Sequence, residues 1–230
     1  MKPENISNPN QVLIKNKYYP DGLTKLQIND FWLKQKDIIL ENKSKNIFYF
    51  FSTKLNSYVV KRNSVNLSYT TYDNNVNGHI VGIISEMEER SNFGIIDIDV
   101  PGNSDEICSD ELFEEAKSAA ENVYDYFNKF NKCKIIYTGK NGFHIYVYFD
   151  KIYNISKIKE YLTKRINEDL INKYTLESKR TDSKINLDLS PNKKSGGYIT
   201  IGSINKIGLI CTVVKNIKSF KRTDCLIKNK

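Results

Sequence analysis

A chain of 230 residues is long enough to bury a core and to form one or two domains. Its composition, 40% hydrophobic and 12% aromatic, is that of a globular protein and excludes a disordered one, and no apolar run reaches the roughly 18 residues that a membrane-spanning helix needs. Lys and Arg number 35 against 27 acidic residues, a net charge of +8 that favours an anionic partner such as nucleic acid, although the abundance of Lys, Asn and Ile also fits a coding bias.

Taken in chain order, residues 1–11 are polar and lack the apolar stretch of a secretory leader, so residues 1–16 are expected to be a flexible arm on a cytoplasmic protein that makes no use of a membrane. Asp21-Gly22 reads as a turn, and residues 23–40 as a helix capped by Thr24, with Leu26, Phe31, Trp32, Leu33, Ile38 and Ile39 at helical spacing. Residues 46–51 form an apolar aromatic run, 57–61 a short strand, 64–77 a strand with a turn at Asp73-Asn74-Asn75, and 80–84 another strand. A soft boundary near residue 90 divides an N-terminal lobe from a C-terminal one. Residues 93–100 predict a strand ending at Pro101-Gly102, and Ser109 caps a helix reaching Phe130. Strands at 134–137 and 143–149 flank the turn 138–142, and a helix spans 156–172. Short strands at 185–189, 198–201 and 209–214 lead into a basic, weakly patterned tail over 215–230. Helices and strands mix without strict alternation, which predicts an α+β fold. Cys108, Cys133, Cys211 and Cys225 are scattered, with none of the close pairs that zinc ligands form, so they read as reduced thiols and no zinc is expected.

Four segments bear chemistry. In Ile95-Ile96-Asp97-Ile98-Asp99-Val100 the side chains of Asp97 and Asp99 fall on one face of a strand, their Cα atoms about 6–7 Å apart. Two carboxylates there repel one another unless a cation compensates them, and Mg²⁺ or Mn²⁺ with oxygen ligands would do so; a half-exposed strand with an acidic polar face is the plainer reading. In Thr138-Gly139-Lys140-Asn141-Gly142-Phe143-His144, two glycines let backbone amides approach an anion, and Lys140 and His144 add donors; a tight hairpin with a structural His is the alternative. Asp188, in Ile185-Asn186-Leu187-Asp188-Leu189, is a further carboxylate in an apolar strand that could complete a three-carboxylate site, or simply close a turn. Residues 202–209, with Ser203 and Lys206, form a small polar loop between two strands.

Taken in order, the four segments resemble the archaeo-eukaryotic primase superfamily, which has a DxD strand, a glycine-rich turn ending in His, and a third Asp on a strand. Thr138 stands where that family often has Ser, Asn141 where a basic residue is common, and Asn205 where the family's later loop has His. Residues 17–25 and 184–188 are also similar to the polymerase domains attached to bacterial repair ligases. The resemblance covers about residues 17–214. It implies a primase-polymerase catalytic core with an RRM-like module and a mixed β-sheet, two Mg²⁺ or Mn²⁺ ions on Asp97, Asp99 and Asp188, and nucleoside triphosphate binding by Thr138, Gly139, Lys140, Asn141, His144, Ser203 and Lys206. It further implies single-stranded or gapped DNA as template, held by basic residues such as Lys193 and Lys194, and a possible primase large subunit as partner. The leading expectation is a primase or primase-polymerase. A gap-filling polymerase of end joining is the alternative within that chemistry, and an inactive RRM-like nucleic-acid-binding module is the alternative outside it.

Overall fold

The structure is a computed structural model and describes residues 8–41, 45–52, 57–60, 65–66, 68–69, 72, 81–100, 106–170, 173–174, 185–205 and 207–228. The segment Asp73-Asn74-Asn75, the pair Pro101-Gly102 and Lys206 lie outside the described residues. The chain divides into two units: residues 1–86, 198–212 and 221–230 form one, and residues 87–197 and 213–220 the other. The first boundary falls close to residue 90, but the later returns between units leave no trace in the sequence pattern.

In the first unit, β1 (Val12–Asn16) pairs antiparallel with β2 (Tyr19–Thr24). Strand structure thus begins inside the segment expected to be a flexible arm, and Ile14 is buried there. Asp21-Gly22 is part of β2 rather than a chain reversal; Gly22 has φ +89° at an irregular register beside β1, and a Cβ on it would meet Val12 at 2.6 Å. Helix α1 (Lys25–Leu40) starts from a capping box in which the Thr24 hydroxyl accepts from the Gln27 amide and the Gln27 side chain accepts from the Thr24 N–H. It buries Ile28, Phe31, Trp32 and Ile39 and leaves Leu26, Leu33 and Ile38 exposed, so only half of the expected apolar positions face the core. These residues pack with Tyr19, Leu23, Tyr72, Ile83, Ile204 and Ile227. Strands β3 (Lys45–Ser52), β4 (Ser57–Val60), β5 (Val65–Asn66), β6 (Val81–Glu86) and β11 (Gly197–Ile199) make a sheet in the order β11-β6-β3-β4, with β5 also beside β3.

The residues expected to be a basic tail contribute to both cores. Phe220 packs on Phe113 and Tyr137 in the second unit, and Ile227 and Cys225 are buried in the first. The Ile227 N–H donates to the Tyr19 hydroxyl at 2.9 Å, and that hydroxyl donates to the Gly208 carbonyl at 2.8 Å. Buried apolar residues among lysines give this segment its order, although their spacing follows neither a helical nor a strand period.

The second unit runs β7 (Arg90–Asp99), α2 (Asp110–Phe127), β8 (Cys133–Tyr137), β9 (Phe143–Asn154), α3 (Ile155–Asp169) and β10 (Asn186–Asp188). Its sheet order is β10-β7-β9-β8-β12, the last being β12 (Thr212–Val214). A β-α-β-β-α-β chain in this order is the ferredoxin-like arrangement that RRM modules share. The β10–β7, β7–β9 and β9–β8 pairs are antiparallel, so any parallel component of the expected mixed sheet lies outside them.

Both helices cover one face of this sheet. Ser109 caps α2, which packs through Phe113, Ala116, Ala120, Val123 and Phe127; the Phe113 ring meets Tyr137 and Phe143. Asn154 caps α3, whose Ile158 and Leu162 lie where a Cβ on Gly94 would stand, at 2.5 and 2.9 Å, so glycine there permits close helix–sheet contact. Among the described residues no helix is long and apolar enough to cross a membrane.

Candidate active site

The face of the second unit's sheet that carries neither helix collects the acidic residues. Alternation along β7 puts Asp97 and Asp99 on that face, while Ile96 and Ile98 point to the helices and are fully buried. Asp97 pairs in register with Asp188 on one side and with His144 on the other. Asn186 stands opposite Asp99. Directly opposed residues hold their Cβ atoms about 4.5–5.5 Å apart. One row across three strands therefore reads Asp188, Asp97, His144. All three aspartates are partly buried, and His144 is buried.

The side chains give this row its present contacts. His144 Nε2 lies 3.3 Å from Asp97 Oδ1, and His144 Nδ1 is buried without a hydrogen-bond partner among the described residues. Asp188 turns both oxygens to Ser190: Oδ1 accepts from the Ser190 N–H at 2.7 Å and Oδ2 from its hydroxyl at 2.6 Å. Among the described residues no group of three or more His, Cys, Asp and Glu side chains stands assembled to hold a metal ion. The donor set still suits Mg²⁺ or Mn²⁺, because it is all carboxylate oxygen, two of its members meet in register and the third is two residues along the same strand face. The same face continues through aromatic side chains: the Tyr146 ring stacks on His144 at 6.2 Å and on Phe93 at 5.3 Å.

The turn between β8 and β9 is built as a close approach to this row. Gly139 has φ +87°, and the Thr138 hydroxyl donates to the Gly142 carbonyl at 2.9 Å, closing the turn. A Cβ on Gly142 would meet the Ile98 carbonyl oxygen at 2.4 Å, so glycine lets β9 enter beside the DxD strand. The Lys140 carbonyl accepts from the Tyr137 hydroxyl. Asn141 is buried and holds the segment before α2: its Nδ2 donates to the Glu106 carbonyl at 2.7 Å, and its Oδ1 accepts from the Cys108 N–H at 3.0 Å. Its side chain is thus engaged on both ends by backbone.

Ser203 belongs to the first unit, is fully buried, and accepts from the Ile83 N–H at 2.8 Å, which makes its hydroxyl a support of β6. Lys193 and Lys194 are exposed and line a cleft with Lys159 and Lys164 at the start of α3, together with Glu89 and Glu160. Lys194 pairs with Glu89 at 3.2 Å. The four cysteines are thiols and not disulfides, and burial raises the thiol of Cys133 to about 12.

The sequence reading missed Asn192. It is buried in the turn after β10 and bonds through both ends of its amide to the backbone of Ile95, two residues before Asp97. A side chain pairing with a strand's backbone has no periodic signature, and Ser190-Pro191-Asn192-Lys193 reads simply as a loop.

No family model and no curated protein matches the chain. Among solved structures, the polymerase domain of Ligase D from Mycobacterium tuberculosis, in complex with DNA, matches with a TM-score of 0.63 at 14% sequence identity, over 94% of this chain and 88% of that one. The AEP domain of the cyanophage S-2L primase-polymerase matches at a TM-score of 0.47 and 11% identity, over 85% of this chain and 95% of that one. In its fold, the chain is similar to the polymerase domain of Ligase D.

Proposed function

We propose that the chain is a nucleotidyltransferase of the primase-polymerase kind, which joins nucleotides on a DNA template with Asp97, Asp99 and Asp188 as the holders of Mg²⁺ or Mn²⁺. The observation that carries this reading is the register of β10 on β7, which sets Asp188 directly against Asp97 from 91 residues away (188 − 97) on the face shared with Asp99 and His144. A fold that merely binds nucleic acid gains nothing from carboxylates gathered where phosphates would lie. Two divalent ions, when bound, would activate the attacking 3′-hydroxyl and offset charge on the leaving oxygen. The Ser190 bonds are what such an ion would displace at Asp188.

The chain's own residues supply the rest. His144, buried beside Asp97 with Nδ1 unpartnered among the described residues, would donate to a triphosphate oxygen. The glycine turn from Thr138 to Gly142, with Lys140, borders the same point. Lys159, Lys164, Lys193 and Lys194 offer positive charge to a nucleic-acid backbone, and the DNA complex of the Ligase D domain supports DNA as that partner.

The test is incubation of the purified chain with single-stranded template, Mn²⁺ and labelled nucleotides, with and without a primer. The wild type is expected to incorporate label; incorporation without a primer marks a primase, and a strict need for a 3′-end marks a gap-filling polymerase. Asp97→Ala and Asp188→Ala should each lower incorporation by roughly a hundredfold or more, beyond what loss of an outer partner costs, with melting temperature retained. Full activity in an Asp97→Ala/Asp99→Ala protein would overturn the reading.

A further inference from the structure

The geometry points to Asn192 as a positioning residue that sets Asp188 against Asp97, an inference that rests on the reading of those carboxylates as cation ligands. Strand β10 has only three residues, and its pairing with β7 stops at Asp188 opposite Asp97. Two residues further along β7, the backbone of Ile95 faces the same edge, since alternate residues of a strand direct their N–H and C=O to the same side. The chain that should pair with it has turned away at Ser190-Pro191, and proline has no N–H to give.

The side chain of Asn192 takes that place. Its Oδ1 accepts from the Ile95 N–H at 2.8 Å, and its Nδ2 donates to the Ile95 carbonyl at 2.5 Å. This is the two-bond exchange of an antiparallel residue pair, made by an amide side chain in place of a backbone. The second hydrogen of Nδ2 donates to the Leu189 carbonyl at 3.2 Å, and Asn192 is 1% exposed. One amide thus ties the residue two before Asp97 to the residue one after Asp188. Gly94 leaves room for it, since a Cβ there would come within 3.1 Å of Asn192 Oδ1. Removing the amide leaves the buried N–H and C=O of Ile95 without partners and frees the end of β10, so the two carboxylates lose their fixed separation.

Mn²⁺ binding to the full chain, followed by the electron paramagnetic resonance of the free ion, tests this apart from activity. Asn192→Ala and the shape-preserving Asn192→Leu are compared with the wild type and with Val123→Ala, a core change on the helix-covered side of the sheet that lowers stability without touching the row. The wild type should bind Mn²⁺, and both Asn192 variants should bind it about tenfold more weakly or worse, with faster hydrogen exchange at the Ile95 amide. Val123→Ala should keep wild-type affinity at a comparable loss of melting temperature. If Asn192→Ala fails to fold, Asn192→Leu gives the comparison. Unchanged affinity in the Asn192 variants, or an equal loss in Val123→Ala, overturns the positioning role alone; a wild type that binds no Mn²⁺ overturns it together with the proposed function.

Discussion

His144 shows how much a single residue is asked to do. It is 5% exposed, it touches Asp97 through Nε2, and its Nδ1 has no partner among the described residues. A buried nitrogen left unsatisfied costs free energy, and such groups persist where a ligand completes them. Replacement by alanine is expected to raise KM for nucleotide about tenfold, about 1.4 kcal/mol, with kcat less affected; steady-state kinetics with varied nucleotide measure this, and unchanged KM and kcat would make the residue structural. The sequence shows Asp97 and Asp99 as candidates because they break an apolar strand at alternate positions, and His144 because it ends a glycine-rich turn. It does not show Asn141 or Ser203 to be backbone partners, because a buried amide or hydroxyl and a ligand-binding one are the same letter until the neighbouring chain is placed. Asn192 escapes notice for the same reason.

At the scale of elements, the second unit is legible where apolar periodicity is long. Helices α2 and α3 fall within a few residues of the sequence expectation, since their apolar stripes and caps, Ser109 and Asn154, are local features. The first unit is less legible. Strand β1 is short and interrupted by charge, and Gly22 breaks the register of β2 where a turn was the simpler reading. Pairing between distant strands is the least legible of all: nothing in the segment around Asp188 states that its partner is β7 and not β9. The glycine turn offers a test of how closely these strands are held. In Gly142→Ala the added Cβ would stand 2.4 Å from the Ile98 carbonyl oxygen, a backbone atom that cannot rotate aside. This change should destabilise the chain by roughly 1–3 kcal/mol, read from a urea unfolding curve; a midpoint equal to that of the wild type would show that β9 and β7 have more freedom at this end than their register suggests.

Across the whole molecule, the net charge of +8 and the lysine-lined cleft at the start of α3 suit a polyanion, whereas the acidic row is the local exception on a basic chain. Under the proposed function, negative charge is concentrated where cations would be held and positive charge where phosphates would lie. The fold closes the row by bringing Asp188 back to Asp97 after two helices and two further strands have intervened. The most direct measurement is anomalous X-ray scattering from crystals of the chain grown with Mn²⁺. The account predicts a peak within carboxylate coordination distance, about 2–2.6 Å, of both Asp97 and Asp188, with Asp188 released from Ser190; Mn²⁺ bound elsewhere, or no peak while Asp188 keeps both Ser190 bonds, would contradict it.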